Sequence, residues 1–169
     1  PAIELAQRLN AITPERLTRT FYSDSGSTAT EIALKIAFHH HQQSGSPERT
    51  RFLSMRDAYH GDTIGSVSVG GIDLFHATYR PLLFDTLTAE PGDAADLRRL
   101  FEQHGDEVAA VILEPLVQGA AGMIVHPPGY LRAVPELVAR GRHPLPEGVT
   151  PHALARMGMD RLKKARAAH

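Results

Sequence analysis

The run VAAVILEP, residues 108–115, is apolar at every position until Glu114. A strand with one wet face alternates polar and apolar residues. This one does not alternate, so both of its faces must be covered. A mostly parallel sheet flanked by helices meets that condition. The rest of the chain supplies the flanks. From Ser27 to Gln43 the apolar positions Ala29, Ile32, Ala33, Ile36 and Ala37 fall on one helical face. Asp93 is placed to cap a helix reaching about His104, with Ala94, Leu97, Leu100 and Phe101 inward. Ala2–Asn10 has helical spacing at Ile3, Ala6 and Leu9. Strands are predicted at 19–22, 51–55 and 82–87, and a last helix at 129–140 with Pro135 inside it. Strands alternating with helices give βαβ units, so the predicted fold class is α/β.

Composition narrows the function classes. The 169 residues include no cysteine, which removes disulfide and thiolate chemistry and fits a reducing, cytoplasmic compartment. No run of about 18 apolar residues occurs, and the N-terminus lacks the basic-then-apolar order of a signal peptide. Net charge is −1 but uneven: residues 1–131 hold 10 Lys/Arg against 16 Asp/Glu, and residues 132–169 hold 8 against 3. The HHH run, residues 39–41, reads as a solvated helix end, since neighbouring helical side chains diverge too far to share one ion. No metal site is expected.

Three stretches carry possible chemistry. In FYSDSGSTATEIALK, residues 21–35, a Ser/Asp/Gly knot opens a helix. Free N–H groups at the positive end of a helix dipole favour an anion, commonly phosphate. Gly26 permits close approach, and Ser25 and Ser27 offer hydroxyls. The same pattern serves equally as a plain cap, with Thr28 and Glu31 at capping-box spacing. In AYHGDT, Tyr59 precedes a tight glycine turn; its ring could cover a flat ligand, with His60 and Asp62 adding hydrogen bonds. A half-buried turn tyrosine explains it as well. In VILEPLVQGAAGM, Glu114 ends a buried strand, where ligands of open α/β sheets gather. A strand end reaching water is the alternative.

Taken together, SDSGSTATEIALKIA, YHGDT and ILEPLVQGAAGM, in this order, resemble the class III (ornithine-type) aminotransferases of fold type I. The wording of the motifs is nearest to the branch that serves biotin synthesis. The likeness runs from about Ala2 to Val134. It implies a pyridoxal 5′-phosphate cofactor, a small-molecule amino donor and keto acceptor, and a homodimer. It further implies that Ser25, Gly26 and Ser27 hold the cofactor phosphate, that Tyr59 stacks on the pyridine ring, that His60 and Asp62 lie beside cofactor and substrate, and that Glu114 sits near the ring's oxygen substituent.

The family also needs a lysine for the cofactor aldehyde and an Asp for the pyridine nitrogen. Neither can be matched here. Lys35 lies just past the knot, and Lys163 and Lys164 lie in an Arg-rich stretch. The resemblance therefore implies a partial large domain over 1–134, a Pro-rich linker over 135–150 and a basic helical tail of separate origin over 151–169. A chain of that kind is expected to be inactive alone. Other readings remain: another class III ω-aminotransferase, completion by a second chain, or a non-catalytic binding protein. Five Lys/Arg between Arg156 and Arg166, with little aromatic interleaving, make nucleic acid an improbable partner.

Overall fold

A computed structural model describes residues 1–15 and 17–140. Its regular elements are α1 (Ala2–Ile12), α2 (Gly26–Gln43), β1 (Arg51–Met55), α3 (Ile64–Ser68), α4 (Asp73–His76), β2 (Thr86–Ala89), α5 (Ala94–His104), β3 (Val108–Val111), β4 (Val117–Gln118), β5 (Ile124–Val125) and α6 (Tyr130–Arg140). A 3₁₀ turn, Ala77–Leu82, precedes β2. The main sheet has the order β2-β1-β3, and both pairings are parallel. β4 and β5 form a separate antiparallel hairpin. The chain thus has the α/β architecture expected of part of a fold type I domain. Among the described residues no helix is long and apolar enough to cross a membrane.

The sheet is covered on both faces, as the apolar run at 108–113 requires. Side chains of β1 alternate. Leu53 and Met55 enter a core with Leu97, Leu100 and Phe101 of α5 and Tyr130, Val134 and Leu137 of α6. Phe52 joins Leu34 of α2, Val69 and Ala109 on the other face. α5 is capped as its sequence predicts: Asp93 accepts from the N–H groups of Ala95 (2.8 Å) and Asp96 (3.0 Å).

Several expectations shift. Arg19–Tyr22 is not a strand: no described strand lies beside it to pair with, and Phe21 is 72% exposed. The strand expected at 82–87 lies at Thr86–Ala89, where the backbone can pair with Phe52–Met55 of β1. The segment Gly119–Gly122 turns the β4–β5 hairpin. Pro135 does not end the last helix; α6 runs through it to Arg140. An interior proline costs about 3 kcal/mol. Burying Tyr130, Val134 and Leu137 against α5 returns about 1.5–3 kcal/mol each, so packing wins. The helix therefore continues past residue 135, where the linker was expected to begin. Residues 141–150 of the expected linker and the expected tail helix lie outside the described residues.

The histidine run is also not uniformly solvated. His41 is buried, and its Nε2 donates to the Ala109 carbonyl at 2.9 Å. The β1–β3 register slips beside Arg51, so that Phe52 faces Ala110 and Ala109 has no partner on β1. His41 supplies the bond that the ladder lacks there. Buried Arg49 likewise donates to the carbonyls of Gly105 (2.6 Å) and Val108 (3.1 Å). His41→Leu should therefore cost about 1–3 kcal/mol in urea unfolding, the penalty for a buried carbonyl left without a donor. His39→Leu at the exposed neighbouring position should stay within about 0.5 kcal/mol.

Candidate functional site

The knot folds into the start of α2. Ser25 is the N-cap, and its Oγ accepts from the Thr28 N–H at 3.2 Å. Thr28 Oγ1 in turn accepts from the Ser25 N–H (3.1 Å) and donates to Asp24 Oδ1 (2.7 Å). That bond holds the Asp24 carboxyl below its usual range. The capping box is thus Ser25 with Thr28, not Thr28 with Glu31. Because Ser25 serves the cap, the N–H groups of Gly26 and Ser27 are the ones left without an intrahelical acceptor. Around Gly26 the space is open: a Cβ added there would meet nothing within 4 Å.

Glu31 does other work. It reaches across to α3, where its carboxylate accepts from the Gly65 N–H (3.2 Å), the Ser66 N–H (3.1 Å) and Thr63 Oγ1 (2.8 Å). A carboxylate on free N–H groups at a helix start gains from both hydrogen bonds and dipole. Ser66 Oγ then donates back to the Ser27 carbonyl at 2.9 Å. Sequence reasoning missed Glu31, Thr63 and Ser66. Thr63, Gly65 and Ser66 just after a tight turn were the available signal of a helix start in want of an acceptor.

From Ser27 a chain of hydrogen bonds joins the three motifs. Ser27 Oγ accepts from the Asp62 N–H at 3.1 Å. Asp62 Oδ2 accepts from the Tyr59 hydroxyl at 2.6 Å, which pushes the tyrosine pKa up. The Tyr59 N–H donates to Glu114 Oε1 at 3.3 Å, and the Gly119 N–H donates to Glu114 Oε2 at 2.9 Å. His60 stands behind this row. Its carbonyl accepts from Thr30 Oγ1 (3.1 Å) and its Nε2 lies 3.4 Å from Ser54 Oγ. Burial lowers the His60 pKa, against the pull of the Glu114 charge. The open start of α2, Tyr59 at 37% exposed and a carboxylate held by two N–H donors thus stand side by side.

Lys35, the sole lysine among the described residues, is not part of this row. It lines a separate groove with Glu31, Leu34, Phe38, Phe52, Phe84 and Asp85.

Gly61 holds the row together. Its φ is +120°, and a Cβ there would lie 2.3 Å from Ser27 Oγ and 2.7 Å from Ser27 Cα. Backbone is struck as well as side chain, so a rotamer change cannot relieve it. Gly61→Ala should cost about 2–4 kcal/mol in urea unfolding, through strain and overpacking together. It should also shift the Asp62 amide resonance, as the bond to Ser27 is forced apart.

Known proteins match this geometry and sequence. The Aminotransferase class-III family matches residues 1–142. The adenosylmethionine-8-amino-7-oxononanoate aminotransferase of Nitratidesulfovibrio vulgaris is 54% identical over 159 residues, covering 83% of this chain and 29% of the relative. That of Geobacter sulfurreducens is 48% identical, covering 82% and 35%. The crystal structure of the Methanocaldococcus jannaschii enzyme of the same name superposes with a TM-score of 0.80 at 43% identity, covering 83% of this chain and 33% of that one. An amine transaminase from an uncultivated Pseudomonas species, in its PLP-bound form, gives 0.75 at 34% identity, covering 82% and 36%. The chain therefore spans about a third of the length of these relatives. The family match passes Val134, where the sequence likeness was expected to end, and reaches residue 142. The chain belongs to the class III aminotransferases.

Proposed function

We propose that residues 21–122 form the phosphate-and-ring half of a pyridoxal 5′-phosphate site. The intact protein would be a homodimeric cytoplasmic aminotransferase that moves an amino group from S-adenosylmethionine to 8-amino-7-oxononanoate. The observation that carries the reading is the unbroken row Ser27–Asp62–Tyr59–Glu114. It puts an anion site, a flat ring and a carboxylate within one hydrogen-bonded unit, in a chain of this family.

The residues present fit the group. Gly26 and Ser27 offer two N–H donors and open space for a phosphate. Ser27 Oγ accepts from Asp62, so its own proton remains for a phosphate oxygen. Ser25 contributes through the cap, its Oγ accepting from the Thr28 N–H and so holding the helix start in place. Asp62 pins the Tyr59 hydroxyl and so sets the plane on which a pyridine ring would stack. Glu114, held by two N–H groups, would present a fixed charge to the ring's oxygen substituent. His60 braces the row from the interior. When bound, pyridoxal phosphate supplies the electron sink for amino transfer. The lysine that meets its aldehyde belongs outside the described residues, as does the carboxylate for its ring nitrogen.

Titrating the chain with pyridoxal 5′-phosphate and following its fluorescence tests this reading. Weak saturable binding, competed by inorganic phosphate, is expected. Ser27→Ala should weaken it about tenfold, the worth of one hydrogen bond to a charged group. Borohydride reduction followed by mass spectrometry should leave Lys35 unlabelled. Absence of saturable binding, or equal binding by Ser27→Ala, would overturn the phosphate assignment. A stoichiometric adduct on Lys35 would overturn the assignment of the lysine.

A further inference from the structure

We infer that His126 is a positioning residue for the Glu114 carboxylate, acting through the segment that leads into and out of the β4–β5 hairpin. The inference rests on Glu114 being the ring-facing carboxylate of the proposed site. Glu114 lies three residues past the end of β3, where the sheet no longer holds the backbone. Its carbonyl instead meets His126 Nε2 at 2.9 Å. A carbonyl only accepts, so Nε2 carries the proton. The His126 N–H also donates to the Leu116 carbonyl at 3.1 Å. One residue thus staples the chain on both sides of Pro115.

The consequence falls on the Glu114 side chain. With its backbone fixed, Oε2 meets the Gly119 N–H in the hairpin turn, and Oε1 meets the Tyr59 N–H. Without the imidazole donor, the Glu114 backbone can turn and both contacts loosen. The hairpin itself has another anchor, since buried Gln118 donates through Nε2 to the Arg56 carbonyl at 2.9 Å. His126 is therefore needed for where Glu114 points more than for whether the hairpin docks. The ring is 8% exposed, packs on Tyr130 with centroids 4.9 Å apart, and leaves Nδ1 buried with no hydrogen-bond partner. An apolar side chain would pack there without that orphan nitrogen. The one bond that Nε2 makes is what an apolar residue could not supply.

Amide resonances of Gly119 and Tyr59 in the full chain test this without any cofactor. Glu114→Gln should move both upfield, as each loses a charged acceptor. His126→Asn, whose amide stops short of the Glu114 carbonyl, should move them the same way. The double variant should move them no further than Glu114→Gln alone. His126→Gln, with its nitrogen near the place of Nε2, should return them toward their original positions. His126→Met fills the space without a donor and should repeat the Asn result, so either variant serves if the other fails to fold. Unchanged amides in a folded His126→Asn or His126→Met chain, or fully additive shifts, would overturn the inference. As a second readout, pyridoxal phosphate affinity should fall several-fold in His126→Asn while inorganic phosphate affinity holds. A parent chain that binds no pyridoxal phosphate would instead overturn the reading of the site, and the amide shifts would still decide the role of His126.

Discussion

The contact between α2 and the segment 61–66 sets the position of everything else in the candidate site. Ser27 accepts from Asp62 and receives Ser66 at its carbonyl, while Glu31, one turn along, caps α3. Gly61 makes the approach possible by having no Cβ to strike Ser27, and Gly65 does the same opposite Glu31. These are polar contacts, those of Glu31 and Ser66 partly buried and that of Asp62 exposed. Their worth lies less in net stability than in the penalty for any mismatch. A slip of either element would leave two helix-start N–H groups and a carboxylate unpaired together. That penalty fixes the spacing between the start of α2 and the tyrosine.

The sheet performs the second alignment. β1 and β3 are parallel neighbours, so their carboxyl ends lie at one edge. Tyr59 follows the first and Glu114 follows the second, and the Tyr59 N–H closes the gap between them. Ligands of open parallel sheets gather at this edge because the chain leaves each strand there with free backbone groups. The hairpin β4–β5 then folds back on the same edge, bringing the Gly119 N–H to the carboxylate. A charged group so near a buried strand is held by donors rather than left in apolar surroundings, as the cost of burial demands.

Much of this was legible in the residues. The helical faces of α2 and α5, the strand β1 and the doubly covered β3 follow from periodicity and from apolar runs, which are local signals of burial. The three motifs of the proposed site were visible too; singly they fit a cap, a turn tyrosine and a strand end, and only their order and combination pointed further. What was missed depends on partners distant in sequence. Glu31 has capping-box spacing to Thr28, yet its acceptor oxygens go to α3, 32–35 residues on. His41 sits in an apparently solvated run, yet a register slip in β3 gives it a carbonyl to satisfy. Arg19–Tyr22 has strand-like composition, but a strand exists only where a neighbour offers a ladder. Pro135 carries a local penalty that three buried side chains of the same helix outweigh.

The same physics bears on how the site is divided. The proposed phosphate subsite needs only a helix start and a turn pressed against it, and α2 with 61–66 has that arrangement. Ring stacking needs one further turn, and Tyr59 lies in it. Aldehyde capture is different. It needs an amine brought to the carboxyl edge of the sheet, with its charge lowered there by desolvation or by neighbouring charge. Lys35 is exposed on α2 and lines a groove with Glu31 and Asp85 instead of standing in the Ser27–Asp62–Tyr59–Glu114 row. In the proposed site, the half that local structure can build is therefore the half that residues 21–122 would supply. The other half would reach the same edge from elsewhere in the polypeptide or from a second chain.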